Sequence, residues 1–542
     1  MASVIVRDAS FETRQVPWSP TQGVQVLDFT LEHGEGFTGT CLARSTLYVR
    51  ESGDFSFGVA GAGTLRLWLD DQLQLTTIFP EPSQPTEYAY NRFRWPTRFS
   101  LRLDAGVHRI LLAVQPGHHG GRAFLQASDA HGAEDGRLSF GTDTTSGPAQ
   151  DWQISGPWPE ALDTRPILPV TVDAPAAWHQ PRRSPVEDFV VNPSAVFRQH
   201  SLVEWHYANG VTHLALLELA DTTHDVEVRQ QVDRLVGFTL DRLPLHRRQF
   251  ETLHAWRGAN YRLFRGCLLD DTSAPALPMI ELARRGQLSD AAPVLEQILD
   301  FVLRRNPRLA DGTLCRDEPE PQTVWADDLF MSTTFLARAA AWKNDPQLLD
   351  ECTRQVQLFH RHLLDRATGH YWHGYVATRD THAGLHWGRA NGWIAWATSE
   401  VLRMLPADHR DRSALIAAQR RHLEALLPLQ AASGLWHQIL DQPSTYEETS
   451  ASAMFLIAIC RGVEGGWLDR DAFAPAARRA WAGLRNRIDE NGVVHGICRG
   501  TEIGDTLEFY ASRPTKPHDP RGLGAVITAA VAMDRVFASS AR

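Results

Sequence analysis

Hydrophobic side chains alternate with polar or small ones through the first third of the chain. Phe55, Phe57 and Val59 recur at every second position, as do Leu65, Leu67 and Leu69 after the sequence GAGT. A period of two puts one set of side chains on one face of a strand. Residues 61–64 read as the turn of a hairpin between two such strands. A further apolar run, VHRILLAV from Val107, precedes the turn-rich PGHHGGR. Short strands at this spacing predict an antiparallel β-sandwich over residues 1–160. Prolines become frequent from about Leu162 to Asn192, so residues 161–193 read as a linker or strap.

From Ser194 onward the period changes to that of a helix. In RQVQLFHRHLL, Val356, Phe359 and Leu363 fall on one helical face. Clusters of polar and aromatic residues interrupt the pattern: WHYANG at Trp205, LLDDTSA at Leu268, VWADDLF at Val324, HWGRANGW at His386, YEETSASAMF at Tyr446 and EFYASRPTKPH at Glu508. Successive clusters lie about 60 residues apart, close to a helical hairpin with its loops. Six hairpins predict twelve helices closed into an (α/α)6 barrel over residues 194–542. Loops at one end of such a barrel surround its axis, so clusters distant in sequence would share a pocket. The expected fold is therefore multidomain, a β-sandwich followed by an (α/α)6 barrel.

Charge and composition narrow the function. A net charge of -10 without a basic run excludes a general nucleic-acid binder. The six cysteines, Cys41, Cys267, Cys315, Cys352, Cys460 and Cys498, show neither CxxC pairs nor zinc spacing and read as buried free thiols. The start, MASVIVRDAS, lacks a charged-then-apolar signal, and no apolar run is long enough to span a bilayer, which favours the cytoplasm. HExxH, GxSxG and a Cys–His nucleophile motif are absent, so metal-dependent and acyl-enzyme readings lack support, and no metal or cofactor is expected.

The candidate chemistry lies in carboxylates and aromatic rings. Asp270 and Asp271 sit together, as do Asp327 and Asp328. One Asp of each pair could cap the following helix, but a second needs another reason. If Asp271 and Asp327 converge, mutual repulsion raises one pKa and supplies a general acid. In HWGRANGW, Arg389 offers a donor fork to a carboxylate, Trp387 and Trp393 offer flat faces to a sugar, and Gly388 and Gly392 would let backbone approach a ligand.

WHYANGV, LLDDTSA, VWADDLFM, YWHGY, HWGRANGW, GLWHQILD and EETSASAMF occur here in an order that resembles the unsaturated glucuronyl and rhamnogalacturonyl hydrolases. The resemblance covers most of residues 200 to 530. It implies an (α/α)6 barrel that removes the terminal 4,5-unsaturated uronic acid left on oligosaccharides by polysaccharide lyases. It also implies Asp327 as acid/base and Asp271 as the second essential aspartate. His373, Arg389, Trp387 and Trp393 fall where that family contacts the unsaturated sugar, and Tyr207 falls in the first-helix motif. Asn391, Trp436, His437 and Arg513 are further pocket candidates. The implied partner is an oligosaccharide with an unsaturated uronate end, and the oligomeric state is not legible. The segment SGDFSFGVAGAGTLRLWLDDQLQL resembles the sugar-associated sandwich of the anthrax protective-antigen type, with WQISGPW as its closing strand, which implies a carbohydrate-binding-like accessory domain.

The chain departs from that pattern at three places. Ser273 and Pro275 stand where the family often has Gly and Met, and Ala390 where it has a second glycine. These changes bear on substrate preference. Two other enzymatic readings remain open at this level, an inverting glycosidase on saturated sugars with two divided carboxylate roles and a sugar epimerase on the same barrel. A carbohydrate-binding protein that has lost activity is a third, opposed by the presence of both Asp271 and Asp327.

Overall fold

The computed structural model describes residues 11–15, 25–34, 36–89, 92–128, 135, 137–140, 152–159, 187–191, 204–252 and 260–538. The chain divides into two compact units, one of residues 12–190 and 248–258, the other of residues 1–11, 191–247 and 259–542. Within the expected linker, the described residues are the strand Glu187–Val191, which pairs with Phe11–Gln15. The rest of 161–193 lies outside the described residues.

The first unit is an antiparallel sheet of nine strands: β1 (Gln25–Asp28), β2 (Thr40–Val49), β3 (Gly53–Leu69), β4 (Gln72–Phe79), β5 (Thr97–Leu103), β6 (Gly106–Gln115), β7 (Arg122–Ser128), β8 (Leu138–Phe140) and β9 (Trp152–Trp158). The turn expected at residues 61–64 is absent. β3 runs straight through it for 17 residues, and Phe55, Phe57, Val59, Leu65, Leu67 and Leu69 stay in phase within one buried cluster. The glycines serve close packing instead. A Cβ on Gly58 would meet the Trp95 ring at 2.2 Å, and one on Gly61 the Arg122 carbonyl oxygen at 2.2 Å. Gly63 has φ +88, and around it β3 changes partners. Its first half pairs with β5 and β7, its second half with β4 and β6. Hydrogen bonding therefore joins the strands into one sheet that continues through β3, where a two-sheet sandwich was expected. The real hairpin turn is Asp70–Asp71, both at positive φ, between β3 and β4.

The second unit is helical. Six helices pack each against the next and close a ring: α1 (Tyr207–Thr223), α3 (Leu277–Arg284), α5 (Asp327–Lys343), α7 (Gly388–Met404), α9 (Thr449–Glu464) and α11 (Pro520–Met533). Between them run α2 (Val226–Thr252), α4 (Ala292–Asp300), α6 (Gln347–Leu363), α8 (Arg412–Leu426) and α10 (Arg470–Arg485). After α11 follows a short π-helical turn, Asp534–Ala538, and among the described residues these eleven are the long helices of the unit, where twelve were expected.

Inner and outer helices differ in sequence for a physical reason. α9, rich in Ala and Ser, is buried on every side from Thr449 to Val463. α6 keeps one apolar face, with Val356, Phe359 and Leu363 buried as their spacing predicts. Small residues bring the inner helices together. A Cβ on Gly392 would lie 2.9 Å from Met454 of α9, and one on Gly388 2.9 Å from the His437 carbonyl oxygen. These two glycines therefore admit a neighbouring helix and strand, which corrects the expectation of a ligand. Likewise Gly210 of WHYANG makes room for Ala274 and Pro275.

Between the inner helices lies a buried ionic network. Arg338 of α5 reaches Glu281 of α3 at 3.2 Å and Glu400 of α7 at 3.1 Å. Arg461 of α9 pairs with the same Glu400 and with Glu218 of α1 at 3.3 Å. Arg338 and Arg461 hold the Glu400 carboxyl well below the usual range despite burial, and Arg338 with Arg284 and Arg285 lowers Glu281 to about 2. The network ties five helices of the ring by charge. Removing one member would strand the others in a low dielectric.

Candidate active site

Each polar cluster sits at, or just before, the N-terminus of an inner helix. WHYANG opens α1, LLDDTSA precedes α3, VWADDLF opens α5, HWGRANGW opens α7, YEETSASAMF opens α9, and EFYASRPTKPH precedes α11. A closed ring gathers them at one end, as their spacing predicts. Neither aspartate pair provides the cap residue of its helix. That position belongs to Leu268 in one case and Ala326 in the other. Asp327 and Asp328 instead occupy the first turn of α5, where the helix dipole favours negative charge.

The four carboxylates have different partners. Arg316 donates to Asp328 twice, at 2.8 and 2.6 Å, and its Nη2 lies 3.8 Å from Asp270. Its guanidinium covers the Trp325 ring at 4.5 Å. Burial pushes the Asp328 carboxyl up to about 6 although Arg316 opposes the shift, and Asp270 and Asp327 add to it. Asp271 turns elsewhere. It pairs with Arg265 and lies 3.4 Å from Arg262, which also binds Glu204. The Trp205 indole donates to the Asp271 backbone oxygen at 2.8 Å. Sequence reasoning paired Asp271 with Asp327, but the carboxylate beside Arg316 and Asp328 is that of Asp270. In a single helical turn, adjacent residues point about 100° apart, so only one of the pair can face the axis.

Asp327 is different again. Its side chain is 17% exposed, and its ion-pair neighbour is His373 Nε2, 3.6 Å from Oδ2. The chain brings them together with a small sheet. Thr323–Trp325 pairs antiparallel with Gly374–Val376, and Ala326 N–H donates to the His373 carbonyl at 3.0 Å. His373 is buried between Trp325 and Trp387, with ring centroids 5.5 and 4.6 Å away. Burial lowers its pKa, opposed by Asp327, so the ring is neutral near pH 7.

Other expected residues divide into those at the pocket and those that build it. Tyr207 stacks on His206 at 4.6 Å and meets Trp393 edge-on at 6.4 Å. Burial raises its phenol pKa, Arg521 and Arg389 oppose this, and Asp270 and Asp327 reinforce it, so it shares the field of the acidic group. Trp393 is buried against Phe330. Arg389, also buried, donates to the carbonyls of Cys498 and Arg499 at 2.5 and 2.8 Å and stacks on Trp387 at 4.6 Å. It braces the loop before α11, and its positive charge still reaches Tyr207. Asn391 bonds both backbone groups of Tyr371, at 2.8 and 2.9 Å, and so holds the YWHGY strand. Trp436 donates to the Leu426 carbonyl at 2.8 Å and is wholly buried. His437 Nδ1 lies 2.6 Å from the Thr445 carbonyl oxygen, and Arg513 donates to the Gly500 carbonyl. These last four serve the loops around the site.

Three contributors escaped the sequence reading. Arg316 stands in LCRDEPEP without a motif around it. Tyr510 is inside the EFYASRPTKPH cluster, which was the available signal. Glu448 caps α9, accepting from Ser450 and Ala451 N–H, and also accepts from Cys498 N–H at 2.9 Å. Among the described residues, Asp350, His409 and Asp411 lie close enough to share a cation, but Arg410 already pairs with Asp350 at 2.8 Å. The six cysteines carry no disulfide, and all but the half-buried Cys267 are buried, as expected.

Residues 190–537, the helical unit with the whole of this site, match the model of Glycosyl Hydrolase Family 88. The chain belongs to this family. It is a glycoside hydrolase. The chain is 30% identical over 241 residues to the unsaturated rhamnogalacturonyl hydrolase YesR of Bacillus subtilis, a match that spans 43% of this chain and 67% of that one. It is 29% identical over 181 residues to an unsaturated 3S-rhamnoglycuronyl hydrolase of Formosa agariphila, covering 31% and 48% of the two chains. Among solved structures, a possible member of the GH105 family from Klebsiella pneumoniae is 26% identical with a TM-score of 0.53, over 61% of this chain and 83% of that one. The family match begins at residue 190, so the nine-stranded sheet is an addition to the family's domain.

Proposed function

We propose that this glycoside hydrolase removes a terminal 4,5-unsaturated uronic acid from lyase-generated oligosaccharides by hydrating the enol-ether double bond. One observation carries the reading. Of the four aspartates, Asp327 alone has no arginine partner among the described residues, and 17% of its side chain reaches solvent. Asp328, Asp270 and Asp271 are buried beside Arg316 or Arg262 and Arg265. A single available carboxyl suits a reaction in which one group cycles between acid and base.

The double bond of such a uronide is an enol ether. Protonation of carbon 4 by Asp327 uses the π electrons for the new C–H bond and leaves cationic character at carbon 5, shared with the ring oxygen. Water adds to carbon 5, and Asp327 takes back a proton. The hemiketal so formed opens and releases the neighbouring sugar. The Arg316–Asp328–Asp270 group would keep negative charge beside Asp327, and Tyr207 would flank the sugar, while Trp387, buried under His373 and Arg389, backs the site rather than offering the flat face expected of it. Arg389 would act on the uronate carboxylate through its field, since its donors hold backbone carbonyls. An inverting glycosidase would need a second available carboxylate across a water-sized gap, and the arginine pairing of the other three counts against that rival.

The relatives named above support this substrate class. The N-terminal unit is read as an accessory, sandwich-like sugar-associated domain. Its support is that β3 contributes to a second apolar cluster besides the main one, with Trp68 and Trp158 packed on Leu42, Leu111 and Ala113. The test is to mix the full chain with lyase-generated oligosaccharides and follow the ultraviolet absorbance of the conjugated double bond. Loss of absorbance with release of the adjacent sugar is the expected result. Activity on saturated glycosides alone would refute the proposal.

A further inference from the structure

Tyr510 lies in the short helix Leu507–Ala511 and is completely buried. Its hydroxyl is 2.7 Å from His373 Nδ1. The Gly504 N–H donates to the same hydroxyl at 3.2 Å. Gly504 N–H occupies an acceptor position of the phenol oxygen, and among the described residues Nδ1 is the acceptor within hydrogen-bond distance of it, so the phenol proton is directed to Nδ1. A neutral imidazole that accepts at Nδ1 carries its proton on Nε2. That nitrogen lies 3.6 Å from Asp327 Oδ2, and among the described residues neither buried atom has a hydrogen-bond partner, so each faces the other as its nearest available one.

The close approach depends on one glycine. Gly384 has φ +76, and a Cβ there would lie 2.6 Å from the Tyr510 hydroxyl and 2.8 Å from His373 Cβ. The 384–385 backbone therefore runs directly beside both rings.

We propose that Tyr510 is a positioning residue that fixes His373 as its Nε2–H tautomer and so aims a hydrogen-bond donor at Asp327 Oδ2. The inference rests on the role given to Asp327 above. With Oδ2 buried and facing His373, Oδ1 is the oxygen that delivers the proton. When Oδ1–H gives its proton to carbon 4, the carboxylate left behind is stabilised by Nε2–H without proton transfer from the histidine. Oδ1 then accepts the proton of the attacking water, and the cycle closes with His373 unchanged.

The test uses the full chain labelled with 15N at histidine. The His373 signals are assigned by their loss in His373→Gln, and long-range 1H–15N correlations report which ring nitrogen is protonated. Wild type is expected to show the Nε2–H tautomer. Tyr510→Phe is expected to shift it toward Nδ1–H and to lower kcat about 10- to 100-fold with little change in KM, the factor for losing a hydrogen bond to a charged group. A wild-type His373 protonated at Nδ1 overturns the proposal, as does a Tyr510→Phe protein that keeps both tautomer and kcat. The wild-type spectrum decides the matter if that variant does not fold. The tautomer is read without substrate. A protein inactive on unsaturated oligosaccharides but showing the predicted tautomer shift would therefore refute the proposed activity and leave the positioning role supported.

Discussion

Arg316 grips Asp328 through both carboxylate oxygens, at 2.8 and 2.6 Å, and this separates the roles of two adjacent aspartates. Asp328 is wholly buried and structural, while Asp327, one residue earlier, stays available. Asp327→Asn should cut kcat by the 10²–10⁴-fold typical of a lost general acid/base, with an unchanged unfolding midpoint. Asp328→Asn should lower the midpoint. Turnover assays and thermal unfolding of the two variants check the division, and near-normal turnover in Asp327→Asn would reverse it.

The Asp270–Asp271 pair is expected to divide in the same way. Asp271→Ala leaves Arg262 and Arg265 buried without their shared carboxylate, and breaking such a pair costs about 3–5 kcal/mol. Glu204 still binds Arg262, so the lower end of that range is expected. Urea unfolding measures it. Asp270→Asn should instead act chiefly on kcat, through the charge it places beside Arg316 and Asp328.

Arg389→Lys distinguishes a brace from a carboxylate clamp. An ammonium cannot reproduce the planar fork that holds the Cys498 and Arg499 carbonyls while stacked on Trp387. The variant should unfold at a lower temperature and show a raised KM. A raised KM with an unchanged unfolding temperature would mean that the guanidinium binds substrate directly.

At the other end of the ring, Glu400→Gln should destabilise the protein by about 3–5 kcal/mol, because Arg338 and Arg461 lose a shared buried partner. The kcat of the folded fraction should hardly change. Denaturant titration together with kinetics reads both, and a large fall in kcat at full folding would contradict a purely structural network.

Buried neutral histidines predict a loss of stability in mild acid. Burial lowers His213 from 6.5 to about 4, and desolvation does the same to His370, helped by His386. The folded state thus binds fewer protons than the unfolded chain between pH 6.5 and about 4. Stability from these groups is intact above pH 6.5 and declines as pH falls through that window. His213→Gln should flatten the decline, measured as unfolding free energy against pH. An unchanged slope would remove His213 from the explanation.

What the sequence determined by itself was periodic. Six clusters at regular spacing placed six helix starts, because a chain that repeats a hairpin must return to the same end of the molecule each time. The apolar face of α6 and the alternation from Phe55 to Leu69 were legible for the same reason, since burial acts on every second or every third-to-fourth residue. Tertiary structure decided the rest. GAGT looked like a turn because glycines usually mark one, but Gly58 and Gly61 lie under Trp95 and Arg122, both far along the chain. Gly388 and Gly392 suggested a ligand and instead admit His437 and Met454. Which aspartate of each pair faces the site depended on where Arg316, Arg262 and Arg265 stand, and no local pattern marks them. The Tyr510–His373 bond joins residues 137 positions apart. Side-chain direction within a turn and pairing across a closed ring are set by packing in three dimensions, so only the folded chain could reveal them.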